Sequence, residues 1–314
     1  MIRTLKSLGI VSSLGMLFIL LGGALVTKTD SGAGCGDSWP LCHGQLIPTD
    51  ITPELVIELS HRLVSSIMGI TILLLAIIAW KVIGHIREVK FLSFLSVFFL
   101  ILQGLIGAAA VMWGQSDFVL AAHFGISLVS FASVFLLTLL IFEIDTKFDA
   151  KQLFITKKHR LEIYLLTIFT IIVVYTGALV RHTEASLVCQ SWPFCSNGAP
   201  FDFASYNSFQ WIQMGHRLLA GLLFIWTILF FIKVFKNYKQ SRVMYWGWII
   251  TLGLITLQVL FGALVVLNGI AYGLDANVTL FVALLHALII TCYFGMLSYF
   301  ILLSSRSAKY EKEK

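Results

Sequence analysis

The segment Glu58-Leu-Ser-His61-Arg62-Leu63 recurs 155 residues later as Gln213-Met-Gly-His216-Arg217-Leu218. Both copies lie in long apolar stretches. Each is followed by one further histidine in apolar surroundings, His123 in Ala-Ala-His-Phe and His286 in Leu-Leu-His-Ala. Ionisable groups in lipid-embedded helices are costly, so four histidines at matching places need a partner that offsets the cost. Two helices that each offer a neutral imidazole across a bundle hold a planar metal group by both axial positions. The copies part at one position, where Glu58 is replaced by Gln213. One site therefore has an acid that the other lacks, as expected if one site reacts and the other supports it.

Composition sets the class. The chain is 58% hydrophobic and 12% charged, with a mean hydropathy of +0.91, values of a polytopic membrane protein and not of a soluble enzyme. Eight stretches are long and apolar enough to span about 30 Å of hydrocarbon. They lie near 8–26, 54–80, 91–113, 118–142, 161–180, 209–232, 244–267 and 277–303. Residues 8–26 have the look of a signal peptide. No small-residue cleavage signature follows before the next span, however, and Gly22-Gly23-Ala24-Leu25-Val26 belongs to the repeat, so a retained first helix is expected.

Of the 22 Lys and Arg residues, all but Lys28, Arg62, Arg181 and Arg217 fall in the N-terminus, the loops near 81–90, 143–160 and 233–243, and the tail. The positive-inside rule then places both termini in the cytoplasm, with the protein in the cell membrane. The net charge of +6 reflects that topology and the anionic lipid headgroups facing the loops; nucleic-acid binding is not indicated. The long loops at roughly 27–53 and 181–208 fall outside the cytoplasm. Each carries one cysteine pair, Cys35 with Cys42 and Cys189 with Cys195, in a compartment that favours disulfides. Cys292 reads as a small buried apolar residue.

The repeat extends beyond the histidines. Gly23-Ala-Leu-Val-Thr-Lys-Thr29-Asp30 matches Gly177-Ala-Leu-Val-Arg-His-Thr183-Glu184, and Leu102-Gln103-Gly-Leu-Ile-Gly107-Ala matches Leu257-Gln258-Val-Leu-Phe-Gly262-Ala. Cys35-Gly-Asp-Ser38-Trp39-Pro40-Leu-Cys42 matches Cys189-Gln-Ser191-Trp192-Pro193-Phe-Cys195. Four spans per half is an even number, so the halves share one orientation and form parallel repeats about an axis along the membrane normal. The expected fold is an all-α integral membrane protein whose eight transmembrane helices make two four-helix bundles. Residues 1–142 form the first, 143–160 a cytoplasmic linker and 161–314 the second.

Within each bundle the ligand helices are the second and fourth, and His61 and His123 sit at similar depth, as do His216 and His286. Four isolated histidines bonded across helices are the plainer alternative, which the matched pairs disfavour. His85 and His159 fall in cytoplasmic loops and read as solvated; His43 and His182 read as loop residues, with His182 near enough to touch a cofactor edge. Glu58 lies one turn before His61 on the same helix face. It can reach the edge of a ring held there, or pair with Arg62. Glu54 reads as a first-turn acid complementing the helix dipole. Arg62 and Arg217 can hold carboxylates such as haem propionates or snorkel to the interface. The cysteine pairs read as staples over the bundle mouth, with a redox contribution open for Cys35 and Cys42; neither has the spacing of thiol oxidoreductases. Gln103 and Gln258 read as interhelical hydrogen-bonding groups.

Taken together, these features resemble the haem A synthases over essentially the whole chain, and the two cysteine pairs are most similar to the members from Gram-positive bacteria. The resemblance implies oxidation of the C8 methyl of haem O to a formyl group in two successive steps, giving haem A for terminal oxidases. It implies that His61 and His123 hold the iron of the substrate haem, that His216 and His286 hold a resident haem b, and that Glu58 is the essential acid. It also links Cys35 and Cys42 to activity, pairs Cys189 with Cys195, and names a haem O synthase, a protohaem farnesyltransferase, as partner. Iron ligated by two histidines has no open position for oxygen, which argues against a simple oxygenase cycle. Electron withdrawal from bound haem O, followed by attack on an activated methyl with Glu58 beside it, suits the residues better. Two other readings exist. A dihaem b-type membrane electron-transfer protein explains the histidines but not the Glu58 asymmetry, and a membrane thiol oxidoreductase explains the cysteines alone.

Overall fold

The computed structural model describes residues 2–114, 116–144, 153–196, 202–270 and 276–312. Among these residues there are eight long helices and no strand: α1 (Ile2–Lys28), α2 (Pro53–Ile83), α3 (Arg87–Trp113), α4 (Asp117–Ile141), α5 (Lys157–His182), α6 (Ser208–Asn237), α7 (Arg242–Ile270) and α8 (Ala276–Lys312). All eight are long and apolar enough to cross a membrane, so the chain is a multi-pass membrane protein. Helices satisfy every backbone polar group within the segment, which is why hydrocarbon selects them. Side-chain hydroxyls follow the same economy: Ser96 donates to the Leu92 carbonyl at 2.8 Å and Thr291 to the Ala287 carbonyl at 2.7 Å.

The helices outrun the apolar stretches read from the sequence. α1 begins at Ile2 and not near 8, and α8 runs to Lys312 and not near 303, because a helix continues through polar residues once its main-chain ladder is started. α5 begins at Lys157 behind Thr156, whose side chain accepts from the His159 backbone N–H. Residues 157–160, expected in the linker at 143–160, are therefore helical, while 145–152 lie outside the described residues. His159 is correspondingly not a solvated loop residue. It is partly buried, and its Nδ1 meets the Tyr238 hydroxyl at 2.9 Å. His85 is exposed in a turn, as expected.

The chain divides into two compact units, Met1–Phe142 and Glu143–Lys314. In the first, α1 and α3 each pack against α2 and α4, so the four helices form a ring with α2 and α4 on a diagonal. A polar contact ties α1 to α4, where Thr138 Oγ1 accepts from Ser13 Oγ at 2.9 Å and approaches the Gly9 carbonyl at 3.0 Å. In the second unit, α5 and α7 each pack against α6 and α8, which leaves α6 and α8 on the diagonal. Its core holds Trp248 stacked on Phe300, centroids 4.6 Å apart, and the Tyr293 hydroxyl against Thr227 at 2.7 Å. The histidine-bearing helices of each unit thus face each other across a bundle and do not lie side by side.

Short 3-10 turns at Ser31–Ala33 and Ala185–Leu187 follow α1 and α5, each entered through a left-handed residue, Asp30 (φ 51°) or Glu184 (φ 57°). The first turn brings Gly34 onto the start of α2. A Cβ at Gly34 would lie 2.6 Å from the Glu54 carbonyl carbon and 2.7 Å from Leu55 N, and neither backbone atom can yield. Gly34→Ala should therefore destabilise the first unit by about 1–3 kcal/mol. The expected result is a lower Tm for the purified protein in detergent; an unchanged Tm would contradict the close approach.

Candidate functional site

Each of the four intramembrane imidazoles packs against a glycine of a neighbouring helix. Cβ atoms at Gly22 and Gly23 of α1 would lie 2.9 Å from His61 Nδ1 and 3.5 Å from His61 Cε1. In α3, a Cβ at Gly107 would lie 3.4 Å from His123 Cε1. The second unit repeats this more tightly, with 2.7 Å between a Gly177 Cβ on α5 and His216 Cε1, and 3.0 Å between a Gly262 Cβ on α7 and His286 Cε1. Gly23 with Gly177, and Gly107 with Gly262, are pairs that recur in the sequence repeat. At Gly177 and Gly262 the reason is physical, since a Cβ there would crowd the ring; at Gly23 and Gly107 it would make ordinary contact with it.

The rings differ in their polar partners. The Nδ1 atoms of His61 and His123 are buried with no hydrogen-bond partner, although both residues are only partly buried. His216 Nδ1 instead lies 3.1 Å from Thr176 Oγ1, and His286 Nε2 lies 3.0 Å from Gln258 Nε2. Gln103, the counterpart of Gln258, is buried, and its Oε1 has no partner. Among the described residues no group of three or more His, Cys, Asp or Glu side chains gathers as a metal site; the histidines come as pairs. A donor set of two imidazoles across a bundle fits an iron porphyrin, which brings its other four donors in the ring. The glycine cradles and the orphaned Nδ1 atoms agree with that fit.

Glu58 and Arg62 face the disulfide loop. Glu58 is buried, and its Oε2 accepts from the Cys35 backbone N–H at 2.7 Å. Its Oε1 accepts from Arg62 Nε at 3.1 Å and Nη2 at 2.6 Å. Arg62 Nη1 donates to the carbonyls of Ser38 and Leu41, each at 2.8 Å. The second unit rebuilds this with an amide. Gln213 Oε1 accepts from the Cys189 N–H at 2.9 Å, while its Nε2 donates to the Ser186 carbonyl at 2.6 Å. Arg217 Nη1 donates to the carbonyls of Ser191 (2.8 Å), Phe194 (3.1 Å) and Pro193 (3.2 Å). Glu58 and Gln213 thus perform the same anchoring task. The difference is charge: Arg62 has a carboxylate, whereas no carboxylate among the described residues pairs with Arg217, and its Nη2 is buried without a partner.

Both disulfides are formed, Cys35–Cys42 and Cys189–Cys195, and all four cysteines are buried. The first lies under Leu55 and Leu59 of α2. His43, inside that loop, bonds the Gly34 carbonyl at 3.0 Å through Nε2. Sequence reasoning missed that the two arginines clamp the loops and that Glu58 caps Cys35. The signal was present in the repeat, which pairs each Glu/Gln-x-x-His-Arg with one Trp-Pro cysteine loop. It also missed Thr176, for which the mismatch with Gly22 was the only sign.

Eight apolar helices, four of them carrying glycine-cradled imidazoles, define a multi-pass membrane protein. A family model described as cytochrome oxidase assembly protein matches residues 6–298, and the chain belongs to that family. It is similar to a heme A synthase of Oceanobacillus iheyensis, 56% identical over 99% of this chain and 98% of the relative. Heme A synthases of Lysinibacillus sphaericus (54% identical, 99% of each chain) and Geobacillus kaustophilus (55% identical, 98% of this chain and 93% of the relative) match as fully.

The cradle makes a direct prediction. Gly177→Ala should push the His216 ring aside and lower the haem-to-protein ratio of the purified protein, read by pyridine haemochrome. A ratio equal to that of the unaltered protein would show that the ring position does not matter.

Proposed function

We propose that this chain oxidises the C8 methyl of haem O to the formyl group of haem A. The observation that carries the reading is the asymmetry between two otherwise repeated sites, with Glu58 beside one histidine pair and Gln213 beside the other. His61 and His123 hold the iron of haem O, the substrate, and His216 and His286 hold a resident haem b. When bound, haem b supplies one-electron redox chemistry to the second half. The charge of Arg217, left without a carboxylate, suits a haem propionate; Arg62 is largely committed to Glu58 and the loop carbonyls and has a single N–H to spare. The basic loops support a reading with both termini in the cytoplasm of a cell-membrane protein, and a membrane farnesyltransferase that makes haem O is the natural source of substrate.

The methyl carbon passes through an alcohol to a gem-diol in two two-electron oxidations. Each adds one oxygen and gives two electrons to an external acceptor, and the gem-diol loses water to give the formyl group. His61 and His123, by filling both axial positions, direct oxidation to the ring substituent and away from the iron. Glu58 keeps one lone pair on Oε2 beyond those bonded to Arg62 and the Cys35 N–H. It can stabilise positive charge developing at the methyl carbon and accept the proton that leaves it. Arg62 and the Cys35 N–H hold the carboxylate in one orientation, and the stapled loop covers it.

Gln213 provides a control for Glu58, because it shows that an amide anchors the cysteine loop. Glu58→Gln should keep the Cys35–Cys42 disulfide and haem binding while lowering haem A formation about 100-fold or more. Normal product from that variant would remove Glu58 from the chemistry. For the function as a whole, the protein is co-expressed with a haem O synthase in a host that makes no haem A, and the extracted haems are chromatographed. Haem A or its alcohol precursor is expected. Haem B and unreacted haem O alone, in a folded protein with bis-histidine spectra, would favour an electron-transfer role instead.

A further inference from the structure

The two halves differ at a second position. In the repeat that aligns Gly23 with Gly177, Thr176 stands where the first half has Gly22. Thr176 Oγ1 donates its one hydrogen to the Val173 carbonyl at 2.8 Å. At the 3.1 Å contact with His216 Nδ1 it must then accept, so Nδ1 carries the proton. His216 is therefore held by one turn of α5 as the tautomer whose Nε2 lone pair is free for a metal. In the first half none of this exists: Gly22 has no side chain, a Cβ there would already lie 2.9 Å from His61 Nδ1, and that nitrogen has no partner.

We propose that Thr176 is the positioning residue that makes the second-half site a permanent haem site, and that Gly22 leaves the first-half site exchangeable. The inference rests on the reading of His216 as a haem b ligand. An acceptor on Nδ1–H orients a ligating imidazole and raises its basicity, which strengthens the bond to iron and favours the ferric state. A resident redox group needs both properties. A haem that enters as substrate and leaves as product is better served by a ligand without them. Residue 176 thereby separates cofactor from substrate in two sites with the same ligands.

The test uses the full-length protein purified with its resident haem, as unaltered chain and as Thr176→Val and Thr176→Ser. Redox titration gives the potential, and transfer to apomyoglobin gives the rate of haem loss. Thr176→Val, which keeps shape and loses the acceptor, should shift the potential to more positive values and speed haem loss about tenfold. Thr176→Ser should match the unaltered chain on both counts. If the valine variant does not fold, Thr176→Ala takes its place. A hydroxyl-free variant that is folded and matches the unaltered chain in potential and in haem loss overturns the inference. His216→Ala separates the two levels: if it keeps the resident low-spin haem, the ligand assignment itself fails, whatever Thr176 does.

Discussion

An imidazole inside a bundle needs room that a neighbouring helix must give up. Here each of the four rings lies where that neighbour has a glycine, at Gly22 and Gly23, Gly107, Gly177 and Gly262. The ring order of each bundle follows the same logic. The glycines sit on α1, α3, α5 and α7, while the histidines sit on the diagonal helices α2, α4, α6 and α8. Odd helices act as walls and even helices carry the histidines. A side chain at Gly22, Gly177 or Gly262 would press on a ring and one at Gly23 or Gly107 would touch it, so the small residues of the repeat and the histidines are one device.

Most of that device was legible from periodicity alone. Eight apolar stretches, a repeat offset of 153 to 155 residues and four histidines placed alike in both halves yield the helices and set the histidines on alternate ones, because hydrocarbon leaves the chain so few options. The helix ends were less legible, since Lys157, Lys158 and the tail beyond 303 are polar and helical at once. The orientation of Glu58 was not legible. Its spacing allows either the ring edge beside His61 or a pair with Arg62, and only the fold shows Arg62 taking one oxygen and the Cys35 N–H the other. Thr176 was invisible for a related reason. A threonine in an apolar helix is ordinary, and its meaning appears only when His216 is seen 3.1 Å away.

The two halves show how one bundle design supports two tasks. Loop anchoring is common to both, through Glu58 or Gln213 and through Arg62 or Arg217, and it holds a disulfide-closed loop against α2 or α6. What differs is small. The first half has a neutralised arginine, an added carboxylate and, at His61, an Nδ1 without the partner that His216 has. The second has an uncompensated arginine and a ring gripped by α5.

The central claim is that each diagonal histidine pair holds one haem independently of the other pair. Electron paramagnetic resonance on His123→Ala and His286→Ala proteins, prepared with haem O present, tests this most directly. The account predicts that His123→Ala loses only the low-spin signal of haem O and keeps that of haem b, while His286→Ala does the reverse. Loss of both signals from either substitution, or of neither from both, would contradict it.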